Sequence, residues 1–311
     1  MQWLPLSVRA PLLFLLLLFL PGAFLAAPQD EVVFRSGVSL VRVDAAVQDA
    51  AGQLVTDLKK EDFRVTDEGV PQTIVNFSFE EEPLDLILLF DVAGSMKGKV
   101  LEVLRAVELG FHELHRGDRV CVMDFGGFSE EIAPFSANLE SINEAIVLKM
   151  PKMRFGGDWK PEKAADDAAL RFRGEPVTQR RRAVLLVTDK IGARSAGDTA
   201  AIHDLWAADA ALSALVLNGG QPARVLEPGS NAIADKTGGA TIVAGAPGPA
   251  FQDSVRRLRR RYTLYYALPT ATPGAERSIH VECTRPNTRV TARTGYIVGQ
   301  ALPPVRASSP H

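Results

Sequence analysis

Two aspartates stand directly after apolar runs: Asp91 follows LILLF (86–90) and Asp189 follows VLLVT (184–188). If those runs are parallel strands, both carboxylates lie at the carboxyl edge of one sheet, where such sheets bind their ligands. Ser95 comes four residues after Asp91 and just ahead of an amphipathic stretch, a place where a hydroxyl suits a helix N-cap. Taken singly, each of the three reads as a capped loop. Signatures of hydrolases, nucleotide-binding loops and zinc peptidases (GxSxG, GxxxxGKS/T, HExxH) do not occur, so no enzyme is expected. The histidines (112, 115, 203, 280, 311) lack ligand spacing, and His112 with His115 reads as a solvated helix face. Cys121 and Cys283 read as free thiols on different strands, with a disulfide between them as the alternative.

The elements that must position these residues follow from periodicity. LILLF is a continuous apolar run, as a strand covered on both faces should be. Val100, Leu104, Val107, Phe111 and Leu114 then recur at steps of four and three, which predicts an amphipathic helix. The cycle repeats, with strands expected at 119–125, 131–135, 183–189, 213–218 and 241–245. Helices are expected near 139–149, 161–173, 199–209, 231–237 and 250–261. This order predicts an α/β core, a doubly wound, mostly parallel Rossmann-like sheet. On both sides of it the pattern turns to β. Val41, Val43, Ala45 and Val47 alternate with other residues before the core, and 262–268, 278–284 and 289–298 read as strands after it. The expected division is an N-terminal β unit (28–82), the core (83–261), C-terminal strands (262–298) and a disordered tail (299–311). The flanking strands are expected to pair in space as one small β unit. The basic runs RRLRRR (256–261) and RRR (180–182) read as solvated charge near helix and strand ends, not as a nucleic-acid surface.

The run DVAGSM (91–96) resembles the DxSxS loop of von Willebrand factor type A domains, and VTD (187–189) falls where that family places its third metal-site loop. GDRV (117–120) ahead of a strand ending in Phe125, and FGGD (155–158) ahead of a helix, resemble further stretches of the family. With the flanking β patterns, the resemblance extends over roughly residues 36–298 and looks most like secreted bacterial proteins of this type. It implies a metal-ion-dependent adhesion site, in which oxygen ligands from three loops hold Mg²⁺ or another divalent cation and leave a position for a partner's carboxylate. Carried over, the implied metal ligands are Asp91, Ser95, Asp158 and Asp189. Two positions depart: Ala93 stands where a Ser ligand belongs, and Asp158 where a Thr belongs. The resemblance would bring three carboxylates to one point, repelling one another unless a cation sits among them. Trp159, next to Asp158, reads either as a ligand-facing ring or as packing.

Composition and the N-terminus bound the setting. Of 311 residues 46% are hydrophobic, and 35 basic against 37 acidic side chains leave a net charge of −2. That excludes a disordered, collagen-like or coiled-coil chain, and it gives no electrostatic reason to expect nucleic acid or an anionic membrane as partner. Arg9 precedes an uncharged apolar run, Leu12 to Leu25, followed by Ala26 and Ala27. Residues 1–27 therefore read as a secretory signal, or as an uncleaved N-terminal anchor because Pro28 opposes cleavage after Ala27. The expectation is a secreted or periplasmic, non-enzymatic module that binds another protein through the loops 91–97, 126–129, 156–160 and 189–195. The alternative is a structural envelope component with a vestigial metal site, interacting through its β units.

Overall fold

Alternating and continuous apolar patterns sort this chain into three cores. The computed structural model describes residues 39–299 apart from 177, 192–194 and 219–221; the expected signal or anchor and the residues from 300 onward lie outside the described residues. The described chain opens with strands β1 (Leu40–Asp49), β2 (Phe63–Asp67), β3 (Val70–Gln72) and β4 (Ile74–Phe79). The α/β part follows with β5 (Leu84–Asp91), α1 (Val100–Phe111), β6 (Arg119–Phe125), β7 (Ser129–Ser136), α2 (Leu139–Lys149), α3 (Pro161–Arg173) and β8 (Arg181–Thr188). It continues with α4 (Asp198–Ala207), β9 (Ala210–Leu217), β10 (Arg224–Val225), α5 (Ala232–Thr237), β11 (Thr241–Ala244) and α6 (Pro247–Arg259). The chain closes with β12 (Tyr262–Ala267), β13 (Glu276–Cys283), β14 (Thr288–Ala292) and β15 (Gly295–Ile297).

The central sheet has the order β10-β11-β9-β8-β5-β6-β7. The five inner strands run parallel, and β7 and β10 pair antiparallel at the two edges. This is the doubly wound, mostly parallel α/β sheet expected from the pattern. β5 is buried along its whole length because both of its faces are covered. Leu86, Leu88 and Phe90 pack under α1, α2 and α6, while Ile87 and Leu89 pack under α3, α4 and α5. Helices α1 and α6 approach closely at Gly110, where a Cβ would sit 2.5 Å from the ring of Phe251. No helix among the described residues is long and apolar enough to cross a membrane.

The flanking strands do pair with each other. β1 lies between β12 and β14, with β4 beyond β12, and β13 lies between β2 and β15, with β3 beyond β2. Val41, Val43 and Tyr262 from the first sheet share a core with Phe63, Val65 and Ile279 from the second. Cys121 on β6 and Cys283 on β13 are free thiols, the first buried and the second half-buried.

The basic runs depart from the expectation of solvated ends. Arg181, Arg182, Arg259 and Arg261 are buried. They sit at the amino edge of the central sheet, where the β unit covers it. Arg181 donates to the Arg259 carbonyl (2.8 Å) and to the Thr263 hydroxyl (3.1 Å), and its Nε lies 3.3 Å from Asp44. Arg261 donates to the Gly238 carbonyl (2.6 Å), and Arg42 on β1 pairs with Asp209 (2.5 Å). A guanidinium offers five donors in a fixed fork, so it satisfies carbonyls and carboxylates that this junction takes out of water. A run of like charges carries no record of which edge of a sheet another layer will cover.

Candidate functional site

Adjacent parallel strands β5 and β8 end side by side, so Asp91 and Thr188–Asp189 share the carboxyl edge of the sheet. The Asp91 side chain is buried and both of its oxygens are engaged. Oδ1 accepts the Ala93 amide (2.7 Å) and Oδ2 accepts the Thr188 hydroxyl (2.6 Å). Thr188 Oγ1 in turn accepts from the Trp159 indole and from the Lys190 amide, each at 3.2 Å. Burial raises the Asp91 carboxyl above its ordinary range, against these two hydrogen bonds, and the Asp189 charge adds to the rise.

Asp189 is held differently. Its Oδ1 accepts the Ser95 hydroxyl (3.0 Å) and its Oδ2 accepts the Lys99 ammonium (2.9 Å). Burial alone would push this carboxyl up; hydrogen bonds from Lys99 and Ser95, with the charge of Lys99, outweigh it and hold the group below the usual range. Ser95 and Lys99 both come from a 3-10 segment, Gly94–Lys99, inserted between β5 and α1. That segment corrects the expected N-cap. Lys99, not Ser95, occupies the cap position of α1, and the Ser95 hydroxyl reaches across to the neighbouring loop.

Of the four residues implied as metal ligands, Asp91, Ser95 and Asp189 come together and Asp158 does not join them. The loop that carries Asp158 is close, since the Gly156 amide donates to the Val92 carbonyl (2.8 Å). Gly156 (φ 146°) and Gly157 (φ 93°) then take backbone conformations that suit glycine, and a Cβ at Gly157 would meet the Gly127 nitrogen at 3.0 Å. This turn sends the Asp158 side chain outward, 79% exposed and 3.5 Å from Lys160. Trp159 instead turns inward as packing, with Lys190 over its ring face at 5.9 Å.

The donor set does not fit a divalent cation. Such an ion takes six or more oxygens. Ala93 supplies no side-chain oxygen, both carboxylates already have two partners each, and one of those partners is an ammonium. Among the described residues no group of three or more His, Cys, Asp or Glu side chains is placed to hold a metal. Sequence reasoning missed Lys99 and Thr188. Thr188 could have been suspected from its place beside Asp189 at a strand end, whereas the reach of Lys99 depends on a 3-10 turn that no periodicity announces.

No family model matches this sequence, and no curated protein matches it. Among solved structures, a von Willebrand factor type A protein from Catenulispora acidiphila aligns at TM-score 0.47 and 11% identity, over 85% of this chain and 75% of its own. An aerotolerance-related membrane protein from Bacteroides fragilis aligns at 0.45 and 16% identity, over 56% of this chain and 98% of its own. The manganese-loaded TRAP protein of Plasmodium vivax aligns at 0.45 and 13% identity, over 75% and 98%. Likenesses of this depth assign no ligand and no residue role to this chain.

Proposed function

We propose that this chain is an exported, non-enzymatic module that binds another protein through the loops 91–97, 126–129, 156–160 and 189–195. Export rests on the sequence of residues 1–27. The observation that carries the binding surface is Phe128, 71% exposed between β6 and β7 after Gly126 and Gly127. An aromatic ring held in water adds nothing to the fold, and such rings anchor protein interfaces when a partner covers them. Ile191, two residues beyond Asp189, is also exposed, and the exposed lysines 97, 160 and 190 surround the same edge. The apolar side chains favour a partner with an apolar spot, and Lys97 and Lys190 favour acidic residues beside it, while Lys160 is already paired with Asp158.

The test is capture from envelope extract with the full chain, quantified by mass spectrometry after crosslinking. Phe128→Ser should reduce capture of the specific partner about tenfold or more, the range of an interface anchor. Val75→Ser should leave it unchanged. A second reading, assembly through the β units, is favoured by the exposed Val70 and Val75 on edge strands β3 and β4. If the valine variant loses the partner and the Phe128 variant keeps it, that reading replaces the first.

A further inference from the structure

We infer that Lys99 is the built-in cation of this edge, doing from within the chain what a bound divalent ion would otherwise do for the Asp91 and Asp189 loops. The Asp189 side chain is nearly buried, and an unpaired carboxylate there would face the Asp91 carboxylate one strand away. Lys99 Nζ meets Asp189 Oδ2 at 2.9 Å while its own side chain remains 30% exposed. The ammonium therefore keeps part of its hydration while neutralising the carboxylate. Ser95 takes the other oxygen from the same six-residue segment. Two donors on one short 3-10 turn thus close on one carboxylate some ninety residues away in sequence, tying the segment before α1 to the end of β8. An incoming ion would have to displace the ammonium, and it would find no side-chain oxygen at Ala93 and no carboxylate from Asp158. The positive charge is fixed by the sequence, so assembly of this edge is indifferent to divalent ions.

The inference requires no partner, so its fate is separate from that of the binding surface. Thermal unfolding of the full chain is followed with 5 mM EDTA, then with 5 mM Mg²⁺ or Mn²⁺ (concentrations chosen as roughly saturating for a weak site). The wild-type Tm should be the same in all three. Lys99→Met keeps the apolar stem and removes the charge; it should lower Tm by about 1–2 °C, the size expected for a chain of this length on losing about 1 kcal/mol. Lys99→Arg should recover at least half of that loss. A rise in the wild-type Tm with either ion would overturn the inference, and that measurement needs no variant to fold. A Lys99→Met protein as stable as the wild type would overturn it as well.

Discussion

β5 carries an aspartate at each end, and the two are treated in opposite ways. Asp85, at the amino edge, is buried and receives three guanidinium hydrogen bonds, two from Arg119 (2.9 and 2.6 Å) and one from Arg180 (2.5 Å). Asp91, at the carboxyl edge, is equally buried and receives one hydroxyl and one amide, with no direct cation. The amino edge belongs to a junction closed by the β unit, where Asp118, Arg181 and Arg259 are also buried. The carboxyl edge has loops over it and an exposed Phe128 beyond them. One residue type on one strand therefore serves as a structural counter-ion below and as a lightly held, removable charge above. Buried ion pairs are costly to leave half-made, and at the closed edge Asp85 keeps two guanidiniums on its carboxylate.

The largest effect should come from breaking that closed edge. Asp85→Ala leaves Arg119 and Arg180 without their shared carboxylate and should cost about 3–5 kcal/mol in chemical denaturation, the range for removing one partner of a buried network. Asp91→Asn should cost less, about 1–2 kcal/mol, since the amide oxygen keeps only one of the two donors, Ala93 N–H or the Thr188 hydroxyl, and its NH₂ faces the other. Equal losses at the two positions would erase the contrast between the edges.

Much of this arrangement was legible in the sequence, and what was not has a physical reason. The unbroken run 86–90 and the heptad-like steps from Val100 report burial on a local period, so the sheet and its helices follow from them. The alternation at Val41–Val47 likewise announced a β unit, and the turn residues around it allowed its strands to meet those after Tyr262. That Asp91 and Asp189 share one edge could be read from the sequence because a parallel sheet brings its strand ends together. Asp158 was misplaced because the turn at Gly156 and Gly157 decides where its side chain points. The roles of Arg181 and Arg259 were hidden because burial at the junction is set by layers distant in sequence. Lys99 belongs to the same class, since its contact spans the gap between two loops.

At the carboxyl edge itself the next effect in size is Thr188. Thr188→Val keeps the shape, but it removes the donor to Asp91 Oδ2 and the acceptor for the Trp159 indole. A buried oxygen left unpaired costs about 1–3 kcal/mol, so Thr188→Val should be less stable by that amount, while Thr188→Ser should lose less than half of it. Valine and serine variants of equal stability would mean that the hydroxyl bridge carries no weight and that packing alone sets this edge.

The smallest effect is the most selective, because it depends on pH. Asp124 lies in β6 one residue before Phe125, beside the turn that presents Phe128. Burial, against one hydrogen bond from the Glu130 amide and helped by the Glu130 charge, raises its carboxyl from 3.8 to about 6. The folded state therefore binds a proton more readily than the unfolded chain between about pH 4 and pH 6. The penalty for the charged form is fully present above pH 6 and disappears as the pH falls below about 4. Asp124→Asn retains an oxygen for the Glu130 amide (3.3 Å) and never carries the charge. Its Tm should exceed that of the wild type at pH 7.5, and the gap should narrow through pH 6 and 5 and close near pH 4. Solvent screening of this half-buried side chain keeps the gap small, so the evidence is its dependence on pH and not its size. At Asp85, where the guanidiniums supply the opposite charge, the Asn variant should be the less stable protein at pH 7.5. A gap at Asp124 that stays constant across this range would show that the carboxyl edge does not penalise charge, and the two ends of the sheet would then differ in packing alone.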